Sequence, residues 1–139
     1  MSREPECALT LHADPGALHG MRQWLDEALS QSGLTDKLRG QLVLAVNEAC
    51  MNIIQHAYRE ETKGEIRLRL AWENGRLIIE LEDDAPCIDP LAVQPRALSD
   101  VRPGGLGVHF IREIMDEMAF LPGQDKGNRL RLVKRLERE

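Results

Sequence analysis

Glu65-Ile66-Arg67-Leu68-Arg69-Leu70-Ala71-Trp72-Glu73-Asn74-Gly75-Arg76-Leu77-Ile78-Ile79-Glu80-Leu81-Glu82-Asp83 is the stretch on which the fold turns. Ile66, Leu68, Leu70 and Trp72 alternate with Arg67 and Arg69, and Leu77, Ile79 and Leu81 alternate with polar neighbours. A period of two marks a strand with one apolar face. Between the two runs stands Asn74-Gly75, the strongest short signal for a two-residue hairpin turn. One buried face and one wet face belong to an antiparallel sheet covered on a single side. The expected architecture is therefore α+β, a two-layer sandwich with a mixed, mostly antiparallel sheet and helices on one face, and not a doubly wound sheet.

Upstream of the hairpin, Thr35 or Asp36 can cap a long helix running to Tyr58, with Leu38, Leu42, Ala45, Ala49, Ile53 and Ala57 as its apolar stripe. Cys7–His12 reads as a first strand. Asp14-Pro15 opens a helix that Gly33 ends near Ser32. Downstream, Pro86, Pro90, Pro95, Pro103, Gly104, Gly105 and Gly107 break the pattern, which predicts loop with a short turn of helix near Leu91–Leu98. A third main helix is expected from near Leu106, carrying Val108, Ile111, Ile114, Met115 and Met118. A strand at Ala119–Leu121, a turn at 123–128 and a strand from Arg129 to about Leu136 follow. Residues 1–139 read as a single domain.

The composition is globular, with 42% hydrophobic and 29% charged residues. A net charge of -5 argues against direct nucleic-acid binding, although Arg129 to Arg138 forms a local basic stretch. No apolar run approaches the roughly 18 residues of a membrane span, and the polar N-terminus has no signal-peptide core. Cys7, Cys50 and Cys87 lack metal-type spacing and read as small apolar residues in a reducing, cytoplasmic setting.

Three places carry chemistry. Glu48 and Asn52 stand four apart and share a helix face. A carboxylate there can accept a proton, and an amide oxygen suits Mg²⁺; the pair also suits the polar edge of an amphipathic helix. Asp83, at the end of the second hairpin strand, can accept a hydrogen bond from an adenine amino group or simply begin a polar loop. Pro103-Gly104-Gly105-Leu106-Gly107-Val108 precedes a periodic helix, where glycines and free N–H groups admit a phosphate.

In this order the three resemble the GHKL ATPase superfamily. The resemblance is closer to its anti-sigma-factor serine/threonine kinases, through Asn47 to Tyr58, Asp83 to Pro90, Gly104 to Met118 and Gly127 to Lys134. The resemblance implies that Glu48 is the base or water-orienter and that Asn52 binds the metal. It implies that Asp83 reads adenine, with Ala85 two residues on, that Gly105 and Gly107 touch the phosphates with Gly104 beside them, and that Leu106 and Val108 belong to the nucleotide-binding stretch. His56 matches a histidine of the branch, read as structural, and Arg102 is a candidate phosphate contact from a lid over Asp89 to Arg102.

ATP and Mg²⁺ are the implied cofactors. The implied partners are a STAS-type anti-anti-sigma factor, which the chain would phosphorylate, and a sigma factor, which it would sequester. A homodimer is the assembly that homologues of this type suggest. Two departures stand out. Ala85 replaces the family's usual glycine, and alanine disfavours positive φ; this favours an alternative, a nucleotide-sensing module that regulates a partner without phosphorylating it. Asn128 or Arg129 stands where a threonine is often found, which leaves a second adenine contact open. A detached histidine-kinase ATPase domain fits less well, because the stretch before the long helix has no room for a dimerising hairpin.

Overall fold

The alternating stretch forms the hairpin its pattern requires. In the computed structural model, which describes residues 6–57, 64–85, 103–122 and 127–136, strands β2 (Glu65–Glu73) and β3 (Arg76–Asp83) pair antiparallel, with Leu68 opposite Leu81 and Leu70 opposite Ile79. Asn74 and Gly75 take φ of 53° and 75°, the left-handed pair that a type I′ turn demands. Strand β1 (Glu6–His12) adds to β2. The closing hairpin of β4 (Glu117–Pro122) and β5 (Asn128–Arg135) adds through β5 to β3. The order is β1-β2-β3-β5-β4. All four pairings among the described residues are antiparallel. β4 does run in the same direction as β3, but β5 lies between them, so the mixed sheet the sequence allowed has no parallel neighbours.

Helices cover one face. Asp14 accepts a hydrogen bond from the Gly16 N–H at 3.3 Å and opens a 3₁₀ turn, Pro15–Ala17, that runs into α1 (Leu18–Ser30). Thr35 Oγ1 accepts from the Leu38 N–H at 3.1 Å and so caps α2 (Asp36–Asn52), with Asp36 in the first turn. A π turn, Ile53–Ala57, continues α2. The helix expected to reach Tyr58 is therefore α-helical only to Asn52, and Tyr58 lies outside the described residues. The third helix, α3, spans Pro103–Ile114.

Met21, Leu25 and Leu29 of α1, Leu42, Val46 and Cys50 of α2, and Ile111 of α3 share one core with Leu68, Leu70, Leu77, Ile79, Leu81 and Leu132 of the sheet. Each such aliphatic side chain contributes about 1.5–3 kcal/mol when fully buried. No helix among the described residues is long and apolar enough to cross a membrane.

Two expectations are corrected. Met118 belongs to β4, not to the third helix. Its spacing from Ile111, Ile114 and Met115 is helical, but at Asp116 the chain is captured by β5. The Asp116 N–H donates to the Val133 carbonyl at 2.9 Å, and the Asp116 carboxylate accepts from the Arg135 N–H at 2.6 Å. The outer sheet face is also not uniformly wet. Arg67 pairs with Glu82 and Arg69 with Glu80 across β2 and β3. Ile78 and Val133, opposite each other on β3 and β5, are buried on this outer face, as happens where the stems of long charged side chains lie over small apolar seams.

Candidate functional site

Glu48 and Asn52 sit one turn apart on the same side of α2, both half-buried. Asn52 is the last α-helical residue. Immediately after it the Ile53 N–H is shared between the Ala49 and Cys50 carbonyls, where the helix widens into the π turn. Such widenings are frequent at functional sites. On the residue before Glu48, Arg22 of α1 donates its Nη1 to Asn47 Oδ1 at 2.9 Å, which ties α1 to α2.

Asp83 ends β3 and is the buried charged or polar side chain among the described residues, 2% exposed. Its Oδ1 accepts from the Ala85 N–H at 2.9 Å and from Asn128 Nδ2 at 2.9 Å. Asn128 Nδ2 also lies 3.4 Å from the Ala85 carbonyl. Among the described residues both hydrogen bonds to this carboxylate land on Oδ1, which leaves Oδ2 as the oxygen for an incoming donor. Burial pushes the Asp83 carboxyl above the usual carboxylate range. The Asn128 and Ala85 bonds oppose that shift, and the nearby Asp84 charge adds to it.

Next to it, Asp84 is gripped by Arg67 through two contacts of 2.9 and 3.0 Å. Gly127 has φ 82°, and a Cβ there would lie 1.9 Å from the Asp83 carbonyl oxygen. Only a glycine lets the start of β5 pass this close to Asp83.

Gly104, Gly105, Leu106, Gly107 and Val108 all lie inside α3, because the helix begins at Pro103 and not near Leu106. Proline suits a first helical position and has no N–H to lose. The N–H groups of Gly104 and Gly105 are then the first-turn donors without intrahelical acceptors, while the Leu106 N–H makes the first intrahelical bond. α3 packs against α2, so the helix that carries Glu48 and Asn52 and the helix that opens with the glycines are neighbours.

The description "Histidine kinase-like ATPase domain" matches residues 11–134, nearly the whole chain. The chain belongs to that family. Among curated relatives, the serine-protein kinase RsbW of Bacillus velezensis is 30% identical over 118 residues, covering 79% of this chain and 74% of that one. RsbW of Bacillus subtilis is 30% identical over 114 residues, covering 76% and 71%. The serine/threonine-protein kinase BtrW of Bordetella bronchiseptica is 29% identical over 101 residues, covering 70% and 71%. These place the chain in the RsbW-like serine/threonine kinase branch. The crystal structure of the RsbU and RsbW domains of a Mycobacterium tuberculosis protein superposes with a TM-score of 0.69 at 22% identity, over 97% of this chain and 33% of that longer one. It supports the fold.

Within this histidine kinase-like ATPase domain, the residues marked by sequence divide between the layers. Glu48 and Asn52 lie on α2 and the glycines on the adjacent α3, while Asp83 and Ala85 leave the end of β3. Arg102, the lid over Asp89 to Arg102, the turn near Leu91–Leu98, Cys87 and the His56 side chain lie outside the described residues. Cys7 is half-buried and unpaired. Cys50 is buried and unpaired, its thiol pushed up to about 12 by burial, which leaves it inert as expected of a core residue.

Ala85 does not bear the strain its sequence position suggested. Asn74 is the non-glycine residue with positive φ among those described, so Ala85 takes an ordinary backbone conformation, and its methyl is enclosed in the core. Of the two candidates before the last strand, Asn128 is the one that reaches Asp83. Gly127 was not singled out from the sequence; a glycine directly before a strand was the available signal.

Proposed function

We propose that this domain is an ATP-dependent serine/threonine kinase that phosphorylates a STAS-type anti-anti-sigma factor and sequesters a sigma factor when that antagonist is phosphorylated. Asp83 carries the reading. A buried carboxylate pinned through Oδ1 by two donors offers Oδ2 to one further donor, and the adenine amino group is such a donor. Guanine presents a carbonyl at that position, which would set lone pairs against lone pairs and leave buried groups unpaired. ATP is therefore favoured over GTP.

The residues present also fit a metal that arrives with the nucleotide. Among those described, no group of three or more His, Cys, Asp or Glu residues could hold an ion alone. Asn52 offers one amide oxygen, and Mg²⁺ commonly takes most of its ligands from phosphates and water. Bound Mg-ATP supplies the phosphoryl group and the charge neutralisation for its transfer. Asn52 holds the metal-facing side of the site. The free N–H groups of Gly104 and Gly105 at the α3 N-terminus would hold the phosphates, with Leu106, Gly107 and Val108 following in the helix. Glu48 accepts the proton of the attacking hydroxyl as its oxygen bonds to the γ-phosphorus and ADP departs. A cytoplasmic setting and a homodimer belong to the same proposal, the dimer being checked by sedimentation.

The test is incubation with γ-labelled Mg-ATP and a panel of purified STAS proteins. Label should appear on one of them and vanish with Glu48→Ala or Asn52→Ala. Tight ATP binding with no transfer to any STAS protein would replace the kinase by a nucleotide sensor.

A further inference from the structure

Helix α2 shows solvent a face poor in charge. Between Gly40 and Gln55 the sequence holds one charged side chain, Glu48, in a chain that is 29% charged. On that stretch Gly40, Leu44 and Gln55 are exposed, and Gln41, Asn47 and Met51 are half-buried. Leu44 is 52% exposed, the large hydrophobic residue left open among those described. Charges lie at its edges: Arg22 of α1 bonds Asn47 at 2.9 Å along one side, and at the N-terminal rim Arg39 bonds Asp26 at 2.8 Å and Asp36 at 3.0 Å. A single exposed leucine is ordinary. A leucine centred on a neutral stretch with charges at its rim has the make-up of an interface centre, where charged residues are depleted.

Its position supplies the occupant. Leu44 precedes Glu48 by four residues, so their Cβ atoms lie roughly 5–6 Å apart on one helix face. A protein acceptor must bring a hydroxyl to Glu48. An interface of standard size covers about 800 Å² on each partner, a disc of roughly 16 Å radius. Any such interface centred near Glu48 covers Leu44.

We propose that the neutral face of α2 is the seat of the protein acceptor, and that Leu44 is the apolar anchor that holds the acceptor's serine or threonine over Glu48. The partner is a folded protein whose phosphorylatable hydroxyl is ringed by uncharged, partly apolar surface. The inference rests on the kinase reading above.

Steady-state transfer from labelled ATP to the STAS protein phosphorylated in the panel assay tests it. Leu44→Ala should raise KM for that protein about tenfold, with kcat at saturating acceptor and the ATP Kd held. Leu44→Glu should raise KM further, and Leu44→Met should restore it. Unchanged KM in both Leu44→Ala and Leu44→Glu, beside an active wild type, overturns the proposal. An equal loss of ATP affinity in the variants overturns it too, since the effect would then run through the fold. If Leu44→Glu instead turns a wild-type dimer into monomers in sedimentation and leaves KM alone, a second copy covers this face and the proposal is wrong. A wild type that labels no STAS protein removes the kinase reading itself, a result separable from every other.

Discussion

Asp83 sets two opposing demands on one carboxylate. Burial raises its pKa, so the folded chain binds this proton more tightly than the unfolded chain does. The ionised side chain therefore costs stability at neutral pH, and that cost is lifted as pH falls through the raised value. Asp83→Asn removes the cost. Thermal unfolding without nucleotide should show the variant at least as stable as wild type at neutral pH, with wild type gaining on it as pH falls. Binding should move the other way. Ala85 N–H, Asn128 Nδ2 and the adenine amino group are three donors, and an amide has one acceptor oxygen where the carboxylate has two. Either amide orientation leaves a donor facing a donor. Calorimetry should find ATP affinity lowered by about tenfold or more, the worth of a hydrogen bond to a charged group. Gly127→Ala acts on the same residue through the backbone. Positive φ and the clash with the Asp83 carbonyl should cost at least about 2 kcal/mol and weaken ATP together with stability. A Gly127→Ala protein with wild-type melting and binding would mean that β5 starts farther from Asp83 than the structure places it.

The Thr35 cap is a local device with a local effect. Loss of its bond to the Leu38 N–H in Thr35→Ala should destabilise the fold by about 1 kcal/mol. Glu48 and Asn52 lie more than three turns farther along α2, so ATP affinity should be unchanged; a binding loss in calorimetry would show that the α2 N-terminus communicates with the site. This cap, the Asn74-Gly75 turn and the alternation of β2 and β3 were legible in sequence because each is written in neighbouring residues. The end of α3 was not. Ile111, Ile114, Met115 and Met118 keep helical spacing, and only the pairing of Asp116 with β5 stops the helix. The π turn after Asn52 left no pattern of its own. The bond from Asn128 to Asp83 joins residues 45 apart in sequence, and no window of the chain contains both. The candidate site was thus readable where helix period and glycines carry it, and hidden where sheet register does.

At the scale of the molecule, Asp83 is fixed by three strands at once: β3 carries it, β5 delivers Gly127 and Asn128, and β2 grips the following Asp84 through Arg67. A ligand that binds this arrangement and not the unfolded chain must stabilise the whole fold. Mg-ATP at a hundred times its Kd adds about 2.7 kcal/mol. Unfolding entropy of roughly 2.1 cal/mol/K per residue over 139 residues converts this to a rise of about 9 °C in Tm. At the same concentration a tenfold weaker Asp83→Asn protein should gain no more than about 5 °C. Thr35→Ala and Leu44→Ala should keep the full rise, the first from a lower starting Tm and the second from the wild-type one. Scanning calorimetry with ATP and with GTP separates the cases. If adenine is read by the Asp83 carboxylate, GTP should move none of the four proteins as far as ATP moves wild type. Equal shifts by both nucleotides would place their common triphosphate in the site and the base outside the reach of Asp83.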